Sequence, residues 1–210
     1  MSRLQRRFFD LGVAFVFVAF FSLLLFVPVY QRNYTTDTGW VEFQNVTTVG
    51  GYDDNWTSTA QTITNSSNYG YVDLPKGDIS YWLEATNPNL GSAIPSGATI
   101  DAVYYRVKRG ADNTDCFDYI LSPIKAGVHS GSLTEDTAQW PTTAATHDYG
   151  GDLCGTTWAP SDFDTDFGLA LTVENQHSSS RQARVYIIYT KIQYTEASTY
   201  SGVGILLASI

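Results

Sequence analysis

The residues best spaced for chemistry are three aspartates, Asp162, Asp164 and Asp166, in the run Asp-Phe-Asp-Thr-Asp. Carboxylates at alternate positions of a tight loop can face one cation, and calcium takes oxygen ligands in this way. A calcium loop of the EF-hand type also needs glycine at its sixth position and a bidentate glutamate at its twelfth. Phe167 and Val173 stand there instead. The run therefore reads first as an Asx-rich turn leading into a strand at Gly168, and only weakly as a looser calcium site completed by Asp148 or Asp152. Asp53-Asp54 reads as a solvated loop pair.

The three histidines, His129, His147 and His177, fall in predicted loops, and no His or Cys has the partner spacing of a zinc site. The chain has no Gly-x-Ser-x-Gly elbow, no phosphate-cradling glycine loop and no dinucleotide fingerprint. A Ser-His-Asp group assembles in space, so catalysis here would require one of these histidines to meet a serine and an aspartate in one cleft. The expectation is a protein that is not an enzyme and uses no cofactor. Five tryptophans, Trp40, Trp56, Trp82, Trp140 and Trp158, could stack on sugar rings. Burial in the core is the preferred reading for each, with Trp40 and Trp56 the least committed to it.

Two further chemistries depend on compartment. An even number of cysteines in an exported domain reads as a disulfide, and Cys116 with Cys154 would close a loop of 38 residues. In the chain-entropy model that bridge stabilises by about 3–4 kcal/mol. The alternative is two buried free thiols. Four glycosylation sequons begin at Asn33, Asn45, Asn55 and Asn65. They cluster in an Asn/Thr-rich stretch, where such tripeptides also arise by chance.

The elements that must position these residues are of two kinds. Residues 11–30 are twenty residues without a charge, behind Arg3, Arg6 and Arg7. As a helix this segment would rise about 30 Å, enough to cross the hydrocarbon core of a bilayer. The basic start predicts the amino terminus inside and residues 33–210 outside. The segment is long for a signal peptide and lacks a small-residue cleavage site. It is rich in Phe and Leu, which suits lipid contact better than close packing against copies of itself in a filament, although both remain open. The expected organisation is a hydrophobic helix over residues 1–32, an extracellular domain over 33–196 and an apolar tail over 197–210. That tail would pack on its own domain or add as a strand to a neighbour.

The outer domain reads as all-β. Ala183–Thr195 is the strongest strand, apolar on both faces and so expected at the centre of a sheet. Thr99–Lys108 alternates, as do Leu169, Leu171 and Val173. Cys116–Ile124 and stretches near 38–47, 58–64 and 69–74 are shorter candidates. Turn signals at Pro75-Lys-Gly77, Asn87-Pro88-Asn89, Pro95-Ser-Gly97 and Gly150-Gly151 separate them. So many short strands and aromatics imply a two-sheet antiparallel β-sandwich, jelly-roll or immunoglobulin-like, behind one N-terminal hydrophobic α-helix. Residues 33–210 hold eight Lys and Arg against twenty Asp and Glu, a formal charge of −12. That balance argues against a nucleic-acid partner.

Several phrases resemble a β-sandwich module that recurs in phage and prophage structural proteins and in some bacterial surface proteins. They are Trp82-Leu-Glu-Ala-Thr-Asn87, Ile94-Pro-Ser-Gly-Ala-Thr-Ile-Asp101, Trp140-Pro-Thr-Thr143, Tyr149-Gly-Gly151, Leu153-Cys-Gly-Thr-Thr-Trp158 and Asp166-Phe-Gly-Leu-Ala-Leu171. The resemblance spans about 38 to 196 and implies a structural or display role. The chain departs from the module in its hydrophobic start and in carrying Cys154 where the module tends to have Trp, which implies Cys116 as a partner on another strand. The expected function is therefore a non-enzymatic structural subunit of a virion or extracellular filament, with a membrane-anchored adhesin or glycan-binding module as the alternative. Expected partners are the lipid bilayer or copies of the same helix, a homo-oligomer or other structural subunits, and glycans.

Overall fold

One long strand organises the domain. In the computed structural model, which describes residues 32–60, 68–90, 93–133 and 137–198, the last strand β11 (Arg181–Ser198) pairs along its whole length. On one side it meets β6 (Thr99–Ala111) from Ala183↔Ala111 to Thr195↔Thr99. On the other side three short strands take turns. They are β4 (Gly70–Leu74) against Arg181–Val185, β2 (Val41–Glu42) against Tyr189 and Thr190, and β1 (Arg32–Asp37) beyond. Thr38 N donates to Ile192 O, and the hydroxyls of Thr35 and Thr195 meet at 3.1 Å. The two contacts fix β1 antiparallel to β11. β9 (Ala145–Asp152) pairs with the far edge of β6 and completes sheet 1.

Sheet 2 runs in the order β3 (Asn45–Val49), β5 (Trp82–Thr86), β10 (Gly168–Asn175), β7 (Cys116–Lys125), β8 (Val128–His129). Its pairings are antiparallel throughout. The inward residues of both sheets join in one core. Val103, Tyr105, Val107, Val185, Ile188 and Ile192 come from sheet 1, and Leu83, Ala85, Leu121, Leu169, Leu171 and Val173 from sheet 2. Two antiparallel sheets closing on one apolar layer make a β-sandwich, the architecture that the alternation predicts. Phe43, Tyr105 and Phe167 stack at its centre, and the Tyr105 hydroxyl donates to Gly168 O on the opposite sheet.

Gly150 shows why one turn phrase is spelled as it is. Its φ is +83°, and a Cβ there would lie 2.3 Å from Val103 O, so only glycine lets β9 come this close to β6.

A buried ion pair joins the sheets. Arg109 of β6 and Asp118 of β7 meet with their side chains almost wholly excluded from water. Trp140 Nε1 donates to Asp118 Oδ1 at 2.9 Å and the Tyr149 hydroxyl to Oδ2 at 2.9 Å. The guanidinium lies over the rings of Trp140 and Tyr149. Such a pair is tolerable in a core because its lone pairs are used.

Three expectations change. β11 is central but not covered on both faces. A bulge between Val185 and Ile187 shifts its alternation, so Val185 and Ile188 point inward together and Tyr186, Tyr189, Lys191 and Gln193 stay half-exposed outside. The cysteines form no bridge, and both are buried free thiols. Cys116 opens β7, whereas Cys154 O accepts from Ser132 N, beside the Leu133 N–Leu121 O bond. Five residues of strand, about 16 Å, separate Cys116 from Leu121 on β7, while a disulfide needs Cα atoms within about 7 Å. The stretch 58–64 contributes no strand over its described part, Ser58–Ala60. The hydrophobic segment 11–30, the tail from 199 and Asn65 lie outside the described residues. Among the described residues no helix is long and apolar enough to cross a membrane.

Candidate functional site

Two of the three aspartates with calcium-like spacing, Asp162 and Asp164, have their carboxylates engaged. Ala159 N donates to Asp162 Oδ2, and Lys125 Nζ pairs with the same oxygen at 2.9 Å. Asp166 N donates to Asp164 Oδ1, closing an Asx turn, and Gly127 N donates to Asp166 O. A cation here would have to displace a lysine. Asp148 is held by Arg106, and Asp152 accepts from Cys154 N. Among the described residues no group of three or more His, Cys, Asp or Glu is placed to hold a metal ion.

The histidines scatter to three places. His147 packs against Tyr149. His177 comes nearest to a triad, with Ser179 Oγ at 2.9 Å and Asp115 Oδ2 at 3.8 Å. That group cannot serve as one. Ser179 N donates to His177 Nδ1, which occupies the lone pair a base would use, and Arg181 Nη2 stands 2.9 Å from Nε2. The cluster is a turn held together by its own side chains.

His129 has a more informative setting. β8 curls over the outer face of sheet 2, where Ser130 N donates to Pro123 O. His129 Nε2 shares a 2.7 Å hydrogen bond with Glu84 Oε1, and its ring meets the Trp82 ring edge-on at 4.4 Å. Tyr52 packs on Trp82 at 6.1 Å and edge-on to Tyr119 at 5.6 Å. Burial, then the neighbouring Tyr119 phenol, holds the Tyr52 hydroxyl above its ordinary pKa. The register explains why these residues meet. Glu84 lies opposite Ala170, and Ala170 opposite Ser122, so two small side chains form a floor between taller walls. Ala170, Ser122 and Thr172 are buried while Tyr52, Trp82, Glu84, Tyr119 and His129 stay half-exposed. The result is a shallow patch of three aromatic rings beside one carboxylate and one imidazole.

Sheet 1 turns another set of aromatic side chains outward. Trp40 is half-exposed there under Arg106, whose Cζ lies 4.0 Å from the ring centroid. Lys191 Nζ is 4.5 Å from the Tyr104 ring centroid and 5.2 Å from that of Trp40.

The other tryptophans belong to the core or its rim. Trp56 is buried and donates to Tyr81 O, and Trp140 is buried on Asp118. Trp158 packs on Phe163 and donates to Leu153 O. Trp56, expected to be among the freer of the five, is thus buried, and Trp82, for which the core was the preferred reading, is half-exposed on an outer face. The signal available for Trp82 was its alternation with Leu83 and Ala85 in β5, which turns it away from the core. Of the sequons, Asn33 and Asn45 are exposed strand residues, and Asn55 is exposed but accepts from Thr48 Oγ1.

No family model and no curated protein matches the chain. Among solved structures it is similar to a carbohydrate-binding domain described as "CBM4 structure and function", with 14% identity over 76% of this chain and 95% of that one and a TM-score of 0.38. It is similar to the second N-terminal cellulose-binding domain of Cellulomonas fimi β-1,4-glucanase C, with 13% identity over 72% and 90% and a TM-score of 0.40. It is also similar to the CBM36-1 domain of a multidomain xylanase from the hindgut metagenome of Trinervitermes trinervoides, with 13% identity over 75% and 96% and a TM-score of 0.32.

Proposed function

We propose that this protein is a non-catalytic surface module that binds carbohydrate on the outer face of sheet 2, held outside a membrane by the apolar segment 11–30. One observation carries the reading: Tyr52, Trp82 and Tyr119 gather on that face beside the Glu84–His129 pair. Sugar rings offer apolar C–H faces and a rim of hydroxyls. Half-exposed aromatic rings suit the first, and a carboxylate with an imidazole suits the second. The chemistry of this patch is adhesive, since its one histidine is tied to a carboxylate over a floor of small side chains. A glycan array probed with the full chain in neutral detergent tests the reading. Binding to at least one neutral glycan, lost in Trp82→Ala, is the expected result. A wild-type protein that binds no glycan overturns it.

A second reading, a subunit of a virion or extracellular filament, draws on the edge of sheet 1. β1 ends the strand order there, and residues 33–37 are exposed. An open strand edge is a template for pairing with another chain. Electron microscopy of native material distinguishes the two, because only this reading requires regular assemblies that contain the chain.

A further inference from the structure

The outer face of sheet 1 carries a different chemistry from the patch on sheet 2. Five of the eight Lys and Arg beyond residue 32 are half-exposed on β6 and β11, and four of them, Arg106, Lys108, Arg184 and Lys191, form one stripe. Each of the four lies over an aromatic ring of the same sheet. Arg106 covers Trp40 and Lys191 covers Tyr104, as described. Lys108 Nζ stands 5.4 Å from the Tyr186 ring centroid, and Arg184 Cζ stands 5.1 Å from that of Tyr69. Carboxylates on this face are engaged: Glu42 stands opposite Tyr189 and is hydrogen-bonded to its side chain. Asp148 grips Arg106 through both oxygens at 2.6 and 2.7 Å, Asp73 accepts from Gln182, and Asp101 accepts from Thr195. Among the described residues Lys108, Arg184 and Lys191 form no ion pair.

Three unpaired cations on one sheet face are a concentration of charge against the trend of a −12 domain. Of the three, Arg184 also donates from Nε to Gln182 Oε1 at 2.7 Å. Their spacing is regular, because the strands set it. Lys191 stands opposite Tyr104, Tyr189 opposite Arg106, and Ile187 opposite Lys108, with Arg184 further down opposite Tyr71. Same-face positions on a strand recur about every 7 Å, so the stripe from Lys191 to Arg184 is about 23 Å long. Rings and cations alternate along it.

We infer that this stripe is a second binding site, for a linear acidic polysaccharide bearing carboxylate or sulfate groups at intervals. The ammonium and guanidinium groups meet the acid groups, and the uncovered edges of Trp40, Tyr104 and Tyr186 beside them meet the apolar parts of the sugar rings. A membrane surface fits less well. The exposed large apolar residues Val49, Val128 and Leu153 belong to other parts of the domain, and Tyr34 is next to Thr35, whose hydroxyl faces Thr195, so alternation turns it to the other side of the sheet.

The test is binding of the full chain, in neutral detergent, to heparin, to polygalacturonate, to a neutral β-glucan and to single-stranded oligo(dT). The inference expects retention on at least one of the two acidic polysaccharides, weakening as salt rises. Lys108→Gln and Lys191→Gln should each weaken it about tenfold, the effect of losing one charge-assisted contact. Both lysines are half-exposed, and unchanged thermal melting certifies that the variants fold. Trp82→Ala should leave this binding intact even if it abolishes neutral-glycan binding, so the two sites succeed or fail separately. No retention on either polyanion at low salt, tighter binding of oligo(dT), or full retention by the Lys108→Gln/Lys191→Gln double variant each overturns the inference.

Discussion

The two outer faces of this sandwich are built from the same kinds of side chain and put them to opposite uses. On sheet 2 the charged groups are turned on each other. Glu84 holds His129, which lies across small floor residues and against Trp82, so the polar groups end beside the rings. On sheet 1 the charged groups stand above the rings, and among the described residues three of them form no ion pair. The difference follows from strand neighbours. Sheet 2 sets Glu84 beside Ala170 and Ser122, which leaves room for β8 to fold over. Sheet 1 sets long side chains opposite long side chains, such as Lys191 against Tyr104 and Tyr189 against Arg106, and among the described residues no strand folds over them. One face closes over itself and the other stays open.

The largest expected effect comes from cutting the link that holds the two faces back to back. Asp118→Ala would strand the Arg109 guanidinium in the core and leave Trp140 Nε1 and the Tyr149 hydroxyl without their acceptor. Breaking a buried pair from one side costs about 3–5 kcal/mol, which urea denaturation would read as a large drop in midpoint. Next in size is the crossed pair of binding defects. Trp82→Ala should remove neutral-glycan binding alone and Lys191→Gln polyanion binding alone, about tenfold in the second case. A variant that weakens both would erase the distinction between the faces.

Smaller still is the effect of Glu84→Gln. The His129–Glu84 contact is part-exposed, so its loss should cost less than about 1 kcal/mol of stability, measured by the same denaturation. Smallest is Asp54→Asn. Burial first, then Asp78, Asp53 and Asp73, hold this carboxyl above its ordinary pKa. A carboxyl raised in the folded state favours folding at low pH, and that contribution is lost as pH rises through the raised value. The variant should therefore melt slightly higher than wild type near neutral pH, and the gain should vanish below the carboxylate range. A gain that persists in acid would show that charge is not its cause.

The thiols allow a separate check. Burial, foremost, pushes both Cys116 and Cys154 up to about 12. Neither should react with a thiol reagent at neutral pH until the domain is unfolded, and reductant should leave its melting unchanged.

What the sequence disclosed tracks the strength of alternation. β6, β7, β10 and β11 are rich in Val, Ile, Leu and Tyr, and they read directly as strands. β9 is Ala-Thr-His-Asp-Tyr-Gly-Gly-Asp, a poor strand by propensity that exists because β6 supplies its hydrogen bonds. The bulge in β11 was hidden for a related reason. Alternation specifies faces only while register holds, and the slip between Val185 and Ile187 is settled by pairing with β6. The cysteines misled because a buried thiol and a half-cystine have the same signature in a single chain. The sheet 2 patch was the least legible feature. Trp82 and His129 come together only through the order β5, β10, β7, β8, which no local pattern encodes.

One consequence concerns how the domain would carry a load. β1, through which the chain enters the sandwich, lies beside β11, through which it leaves, and the two run in opposite directions. Tension between those ends would part the pair from its open end, one rung at a time, rather than shear all the rungs at once. The described domain has no covalent tie to arrest that opening, since Cys116 and Cys154 are unlinked and lie elsewhere. As a tether the sandwich would yield first at its own doorway, while both outer faces stayed folded behind it.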